Sequence, residues 1–250
     1  MNFFNRILSK KKEILNPIDL SILNTDIHSH LIPGIDDGSP NIEVTLELLN
    51  KFQDLGYSKV ITTPHVMSDY YRNTPEIINK GLKEVRKIIK ENNLNIKIEA
   101  AAEYNLEPTF EELLNGGELL TFGNEKYLLF ELSFFNEPPR LNESIWSMKE
   151  RGYSPVLAHV ERYVYWHDNY DKIDEIINRG VKLQLNIGSL TGSYGPEVKS
   201  FAERLVSDEV IEFVGSDCHH AHHLEMIEIA RKLPFFHQLI HQKQILNNKL

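Results

Sequence analysis

Two histidines, His28 and His30, stand two residues apart in the run DIHSH. Residues at that spacing on a strand point to the same side, so both imidazoles can reach one ion. Other residues with metal-ligating chemistry are scattered along the chain: Asp36 and Asp37 in LIPGIDDGS, His65 in TTPH, Glu103 in AAEY, Glu131 in LLFELS, His159 in AHVERY, and Asp217 and His219 in GSDCH. Singly, each reads as an ordinary surface or loop residue. Together they offer mixed imidazole and carboxylate donors, a set that suits zinc, manganese or iron better than calcium or magnesium. Asp37, Glu103, Glu131 and Asp217 bring four negative charges, so three divalent cations would leave a positive surplus matched to a phosphate dianion. Without cations, that many ionisable groups gathered on one buried face would leave unpaired charges costing several kcal/mol each.

The elements that must position these residues follow from alternating patterns. Short apolar, β-branched runs predict seven strands: Thr25 to His28, Lys59 to Thr63, Ile96 to Ala101, Tyr127 to Leu132, Pro155 to Ala158, Lys182 to Ile187 and Val210 to Gly215. Segments with helical spacing separate them, the alternation of βα units on a parallel sheet. Ile42, Leu46, Leu49 and Phe52 mark one helix, with Ser39 as its expected cap and Pro40 at its first position. The runs DLGYSKVITTPH, ERGYSPVLAHVE and NRGVKLQLNIGS repeat a helix, glycine, strand unit with Gly56, Gly152 and Gly180 as helix ends. Two further helices are expected around Pro234. Every residue with metal-ligating chemistry falls at or just beyond a strand's carboxyl end, or in the loop that follows it. In parallel α/β barrels those ends share one face, so residues nearly 200 positions apart are expected to converge.

Composition narrows the function classes. The 250 residues are 41% hydrophobic and 25% charged, which fits one globular domain, and no linker or low-complexity tract divides them. A net charge of −9 opposes binding to nucleic acid. The single cysteine, Cys218, excludes an internal disulfide and a multi-cysteine zinc site. No run approaches the roughly 20 apolar residues of a membrane span, and the expected location is the cytoplasm. Phe3, Phe4, Ile7 and Leu8, with Lys10 to Lys12, predict a short amphipathic helix docked on the domain or a neighbouring subunit rather than lying on a membrane. The expected division is an N-terminal helical extension over 1–22 and a catalytic domain over 23–250.

The motifs DIHSH, DDG, TTPH, AAEY, LLFELS, AHVERY and GSDCH, in that order from Asp26 to His219, resemble the PHP (polymerase and histidinol phosphatase) family. Within it they are most similar to the manganese-dependent bacterial protein tyrosine phosphatases that act on capsule and exopolysaccharide tyrosine kinases. The resemblance implies an α/β fold, a distorted seven-stranded (β/α)7 barrel, with a trinuclear centre. One cation would take His28, His30, Glu103 and Asp217; a second would share Glu103 and add Glu131 and His159; a third would take Asp37, His65 and His219. Mn2+ is the implied metal, with Zn2+ and Fe2+ as the other fits, and a metal-bridging hydroxide the implied nucleophile. Arg162, in the HxERY motif, would hold phosphate. His219 or His223 could supply a proton to the leaving group. The implied partner is a tyrosine-phosphorylated protein such as a bacterial tyrosine kinase. Some relatives of this type carry a second arginine in a GR-containing loop, whereas this chain reads HHAHHLEM, so His220, His222 and His223 either replace that contact or face water. Tyr70, Tyr71 and Tyr104 are expected either to wall the site or to cap the barrel.

Rival readings differ in testable ways. A cysteine-based tyrosine phosphatase needs an arginine at the sixth position after its thiolate, and Leu224 stands there. A small-molecule phosphatase of the same family, histidinol-phosphate-like, would keep the metals and differ only in loops. A non-catalytic metal-binding partner of a kinase would have no use for ligands at every strand end. A metal-dependent amidohydrolase would rely on a carboxylated lysine or a single aspartate base, and no lysine stands at the fourth strand's end, where this chain has Glu131.

Overall fold

Parallel strands alternating with helices build the computed structural model, which describes residues 15–117 and 119–250. The strands are β1 (Thr25–Asp26), β2 (Lys59–Thr62), β3 (His65–Val66), β4 (Lys97–Ala100), β5 (Glu103–Asn105), β6 (Tyr127–Glu131), β7 (Ser154–Leu157), β8 (Lys182–Asn186) and β9 (Phe213–Gly215). Among the described residues the α-helices are α1 (Ile42–Asp54), α2 (Pro75–Glu91), α3 (Phe110–Gly116), α4 (Leu141–Glu150), α5 (Asp171–Asn178), α6 (Pro196–Ser207), α7 (Ala221–Ala230) and α8 (Pro234–Ile240). β1, β2 and β4 form one parallel sheet, and β3, β5, β6, β7, β8 and β9 form another in that order.

Nine strands stand where the sequence predicts seven because two segments, 59–66 and 97–105, each break once. Pro64 has no amide hydrogen to give a ladder, which interrupts the first. The second breaks beside it, yet Ala101 N–H donates to Thr62 O at 2.9 Å and Glu103 N–H to Pro64 O at 3.1 Å. Hydrogen bonding thus runs through both breaks, and the two sheets form one curled surface.

Curling brings the end of the sheet back to its start. Asp217 N–H donates to His28 O at 2.8 Å and His30 N–H to Cys218 O at 2.9 Å. The Asp26 carboxylate accepts from Ser216 N–H and its hydroxyl at 2.8 and 2.9 Å. Asn247 closes the far end of this seam, donating to Thr25 O and Val214 O at 2.9 and 2.8 Å. Gly215 permits the approach, since a Cβ there would lie 2.7 Å from the Cβ of His28.

Strand alternation sorts the apolar residues. Val60, Ile98, Leu128, Phe130, Leu157, Leu183 and Leu185 pack with helix residues such as Phe52, Ile145 and Leu205. On the other face Ile27, Ile61, Leu129, Val156 and Phe213 make a separate cluster with Phe122 and Tyr127. Gly56, Gly152 and Gly180 take φ of 104°, 79° and 82° directly after α1, α4 and α5, the left-handed step expected where each helix turns into a strand. The α1 cap is Asn41 rather than the expected Ser39. Its extended backbone lets the side-chain oxygen accept from Val44 N–H at 2.9 Å, while Ser39 Oγ donates to Asn41 O. α7 and α8 flank Pro234 as expected. The helix expected around Phe3, Phe4, Ile7 and Leu8 lies outside the described residues. Residues 15–19 hold no helix, and Leu15 and Ile18 donate backbone hydrogen bonds to Lys232 O and Arg231 O.

Candidate metal centre

The carboxyl ends of the strands carry all nine residues expected to hold metal to one place. His28 and His30 follow β1, His65 opens β3, Glu103 opens β5, Glu131 closes β6, His159 follows β7, and Asp217 and His219 follow β9. Asp37 enters from the loop before α1. His28, His30 and Glu103 are fully buried. In front of them lies a cavity of about 280 Å³ lined by Asp37, His65, Glu131, His159, Asp217 and His219. His159 and Asp217 both hold left-handed backbone, with φ of 34° and 50°, where non-glycine residues pay strain. Their amides are pinned: His159 N–H donates to Gln184 Oε1 at 2.9 Å, and Asp217 N–H to His28 O.

Three sets of ligating atoms lie within 4.8 Å of one another: His28, His30 and Glu103; His65, Glu103 and Glu131; and His30, Asp37, His65 and His219. Asp217 adjoins the first set, its Oδ1 lying 3.4 Å from His28 Nε2 and 3.5 Å from His30 Nε2. His159 adjoins the second, 3.0 Å from Glu103 Oε1 and 3.7 Å from Glu131 Oε2. The sets therefore overlap more than the expected partition does, with His30 and His65 each facing two of them.

Outer residues fix the tautomers. His28 Nδ1–H donates to Gln184 Oε1 at 3.0 Å and His30 Nδ1–H to Asp36 Oδ2 at 2.8 Å, which leaves each Nε2 with its lone pair toward the centre. His219 Nδ1–H donates to Asp217 O at 3.0 Å, leaving Nε2 toward Asp37. Asn186 Nδ2 donates to Asp217 Oδ2 at 2.8 Å. Within this frame five buried atoms make no aligned hydrogen bond and face one another at 3.0 to 3.6 Å: Nε2 of His28 and of His30, Nδ1 of His65, Oε2 of Glu103 and Oε1 of Glu131. Buried polar atoms are costly when unmatched, and clustered lone pairs of this kind are what divalent cations satisfy. The residues present fit a metal centre.

The electrostatics point the same way. Burial opposes charge on His28, but Glu103 and Asp217 outweigh it and push the imidazole up to about 10. Burial likewise opposes charge on His65, and Glu103 and Glu131 push it up to about 12. Burial and the neighbouring Glu103 raise Glu131 to about 7. Burial draws His159 down to about 4. Without cations the cluster therefore neutralises its carboxylates with protons held on histidines, and cations would take the place of those protons.

Arg162 sits at the cavity wall with its guanidinium 4.5 Å from the Phe134 ring and 4.8 Å from the Tyr194 ring. It donates to Asp217 Oδ2 at 3.1 Å and makes no pair with Glu161. Glu161 is buried beneath, accepting from Asn186 N–H and Ser189 Oγ at 3.0 and 2.6 Å, and burial pushes it up to about 7. The tyrosines named as alternatives for the wall separate: Tyr104 is buried and its hydroxyl accepts from Leu120 N–H, Tyr70 is 81% exposed, and Tyr71 stacks on His65 with ring centroids 5.6 Å apart. His220 and His223 line the cavity, whereas His222 is exposed and pairs with Glu225. Cys218 is buried. Sequence reasoning missed Gln184, Asn186, Phe134 and Tyr194.

A sequence model of the capsular polysaccharide synthesis family CpsB/CapC matches residues 24–232. The chain is 29% identical over 194 residues to the tyrosine-protein phosphatase YwqE of Bacillus subtilis, covering 78% of this chain and 76% of that one. It is 27% identical over 201 residues to the tyrosine-protein phosphatase CpsB of Streptococcus pneumoniae, covering 78% and 82%. A crystal structure from work on YwqE and CpsB, described as unique metal-dependent tyrosine phosphatases, superposes with a TM-score of 0.74 at 26% identity, covering 86% of this chain and 84% of that one.

Proposed function

This chain belongs to the CpsB/CapC family of capsular polysaccharide synthesis, and from that premise we propose that it is a metal-dependent tyrosine-protein phosphatase. The observation that carries the reading is the set of five buried imidazole and carboxylate atoms that converge without an aligned hydrogen bond beside a half-buried arginine, a cation site next to a phosphate donor. His28, His30, Glu103 and Asp217 would hold one cation, Glu103, Glu131 and His159 a second, and Asp37, His65 and His219 a third. Mn2+ fits this donor set, as do Zn2+ and Fe2+. Bound cations supply Lewis acidity to phosphoryl oxygens and acidify water to a nucleophile near neutral pH.

The chain's own residues do the rest. Arg162, with one nitrogen on Asp217, turns its remaining N–H groups to the phosphoryl oxygens, a charge-assisted fork suited to them. Phe134 and Tyr194 hold that guanidinium in place and give the phenyl ring of phosphotyrosine an apolar wall. His219, anchored through Nδ1 to Asp217 O, keeps Nε2 for the third cation or, where that cation is absent, for a proton it can hold for the leaving phenolate. That leaving group has an intrinsic pKa near ~10 and needs little such help. The substrate in this reading is a tyrosine-phosphorylated protein, a bacterial tyrosine kinase of exopolysaccharide synthesis, met in the cytoplasm. Among the described residues no helix is long and apolar enough to cross a membrane. We read the curled sheet as the distorted seven-stranded barrel, each broken segment counted once, with residues 1–22 as an appended segment.

Hydrolysis of p-nitrophenyl phosphate and of a phosphotyrosine peptide, after chelation and then with Mn2+, Zn2+ or Mg2+ restored, tests this. Metal-restored cleavage of both is expected. Cleavage of the small ester alone would favour a small-molecule phosphatase, and inactivity with every metal would favour a binding protein.

A further inference from the structure

The first turn of α7 places His223 against the cavity that Arg162 and the candidate ligands line. The His219 amide donates to His223 Nδ1 at 3.1 Å. A backbone amide can only donate, so Nδ1 carries a lone pair, and the single proton of the imidazole sits on Nε2. Nε2 has no hydrogen-bond partner among the described residues, and the side chain lines the cavity. His220 stacks on the ring with centroids 4.2 Å apart and planes 15° from parallel, which restrains its orientation.

The rest of the cavity wall explains why that hydrogen matters. Asp37, Glu131 and Asp217 offer only acceptor oxygens when ionised, and a phosphate dianion is itself all acceptor. Beyond cations, such a group has to be met by donors. Arg162 supplies them from one position, and one of its nitrogens is committed to Asp217. We propose that His223 is a second phosphate-binding residue, donating its Nε2 hydrogen to a phosphoryl oxygen of the substrate. The proposal rests on the phosphatase reading and names a ligand contact within that site.

The alternative is that His223 merely buttresses the backbone of His219. Two variants separate the roles: His223→Leu removes the donor, and His223→Gln keeps an N–H near the place of Nε2. Inorganic phosphate is titrated calorimetrically into each Mn2+-loaded protein, with metal per chain measured in parallel. A hydrogen bond to a charged group is worth about 1.5–3 kcal/mol, so His223→Leu is expected to weaken phosphate binding by about tenfold or more at unchanged metal content. His223→Gln is expected to recover most of it. Unchanged phosphate affinity in His223→Leu overturns the proposal, as does a loss that tracks lost metal. Across aryl phosphates of graded leaving-group acidity, a uniform loss supports it, and a loss that steepens for poorer leaving groups overturns it in favour of proton donation to the leaving oxygen. A wild-type protein that binds phosphate but cleaves no phosphomonoester would instead sink the phosphatase reading.

Discussion

The inward face of the curled sheet is two different environments within a few residues along each strand. Toward the amino ends, Ile27, Ile61, Leu129, Val156 and Phe213 pack together with Phe122 and Tyr127. Toward the carboxyl ends, the same strands or their continuations present His28, Glu103, Glu131 and His159, with Gln184 and Asn186 between them. Leu129 and Glu131 are two residues apart and both buried, yet one is matched by apolar surroundings and the other faces His65 at 3.2 Å without an aligned hydrogen bond. The lower layer holds the scaffold still, and the upper layer accepts an unfavourable charge arrangement in the apo state that cations would relieve. Stability and chemistry are thus divided by depth along one set of strands.

The sharpest way to break that division is to neutralise its most shared carboxylate. Glu103 faces His28, His65 and His159 at 3.2, 3.0 and 3.0 Å. Glu103→Gln is expected to abolish tight metal binding and lower kcat/KM on the order of a thousandfold, about 4 kcal/mol of transition-state stabilisation, with circular dichroism unchanged. Near-wild-type turnover would remove the metal-centre assignment. The reciprocal change, Leu129→Ala, is expected to cost about 2–5 kcal/mol in denaturant unfolding while metal affinity and the turnover of folded protein stay within about twofold. A large fall in metal affinity there would mean that the layers are not separable.

The smallest effect is a sign. In the metal-free fold, His28 and His65 lie at about 10 and about 12 against an ordinary imidazole value of 6.5. Their contribution to stability is complete below that ordinary value and is lost as pH rises through the folded ones. From about pH 7 to about pH 9 the folded chain binds more protons than the unfolded one, so stability falls with pH. His159 and His223, held near 4, oppose this only below the ordinary value. Saturating Mn2+ is expected to reverse the slope, because the ligands must be deprotonated to bind. Thermal melts at three pH values with and without chelator read both slopes, and a rising apo curve would contradict the charge state described for the cluster.

Much of the upper layer is legible in the sequence because strand ends are: polar residues stranded at the close of apolar runs have few reasons to be there. The same rule of alternation, applied one step further, resolves Tyr104. With Glu103 facing inward, its neighbour on β5 has to face the helices, where Tyr104 packs against Phe110. Gln184 left a signal as well, a lone polar residue between Leu183 and Leu185 in β8 on the face shared with the site. Phe134 and Tyr194 left none, since each comes from an irregular loop whose path no periodicity encodes. Pro64 announced the break in its own strand, but the matching break at Ala101 follows from the neighbouring strand and cannot be read locally.

The seam between the first and last strands also sets a timetable. Ser216 meets Asp26 across 190 positions of chain, and Asn247 meets Thr25 across 222. Contacts so distant in sequence form late, because the loop they close has to be ordered first. On the ribosome, His28 and His30 emerge well before Asp217, so the candidate ligand set cannot assemble until the segment through β9 has been made. A nascent chain is thereby kept without the assembled site, and a chain truncated before β9 would carry most of the candidate ligands with no geometry in which to use them.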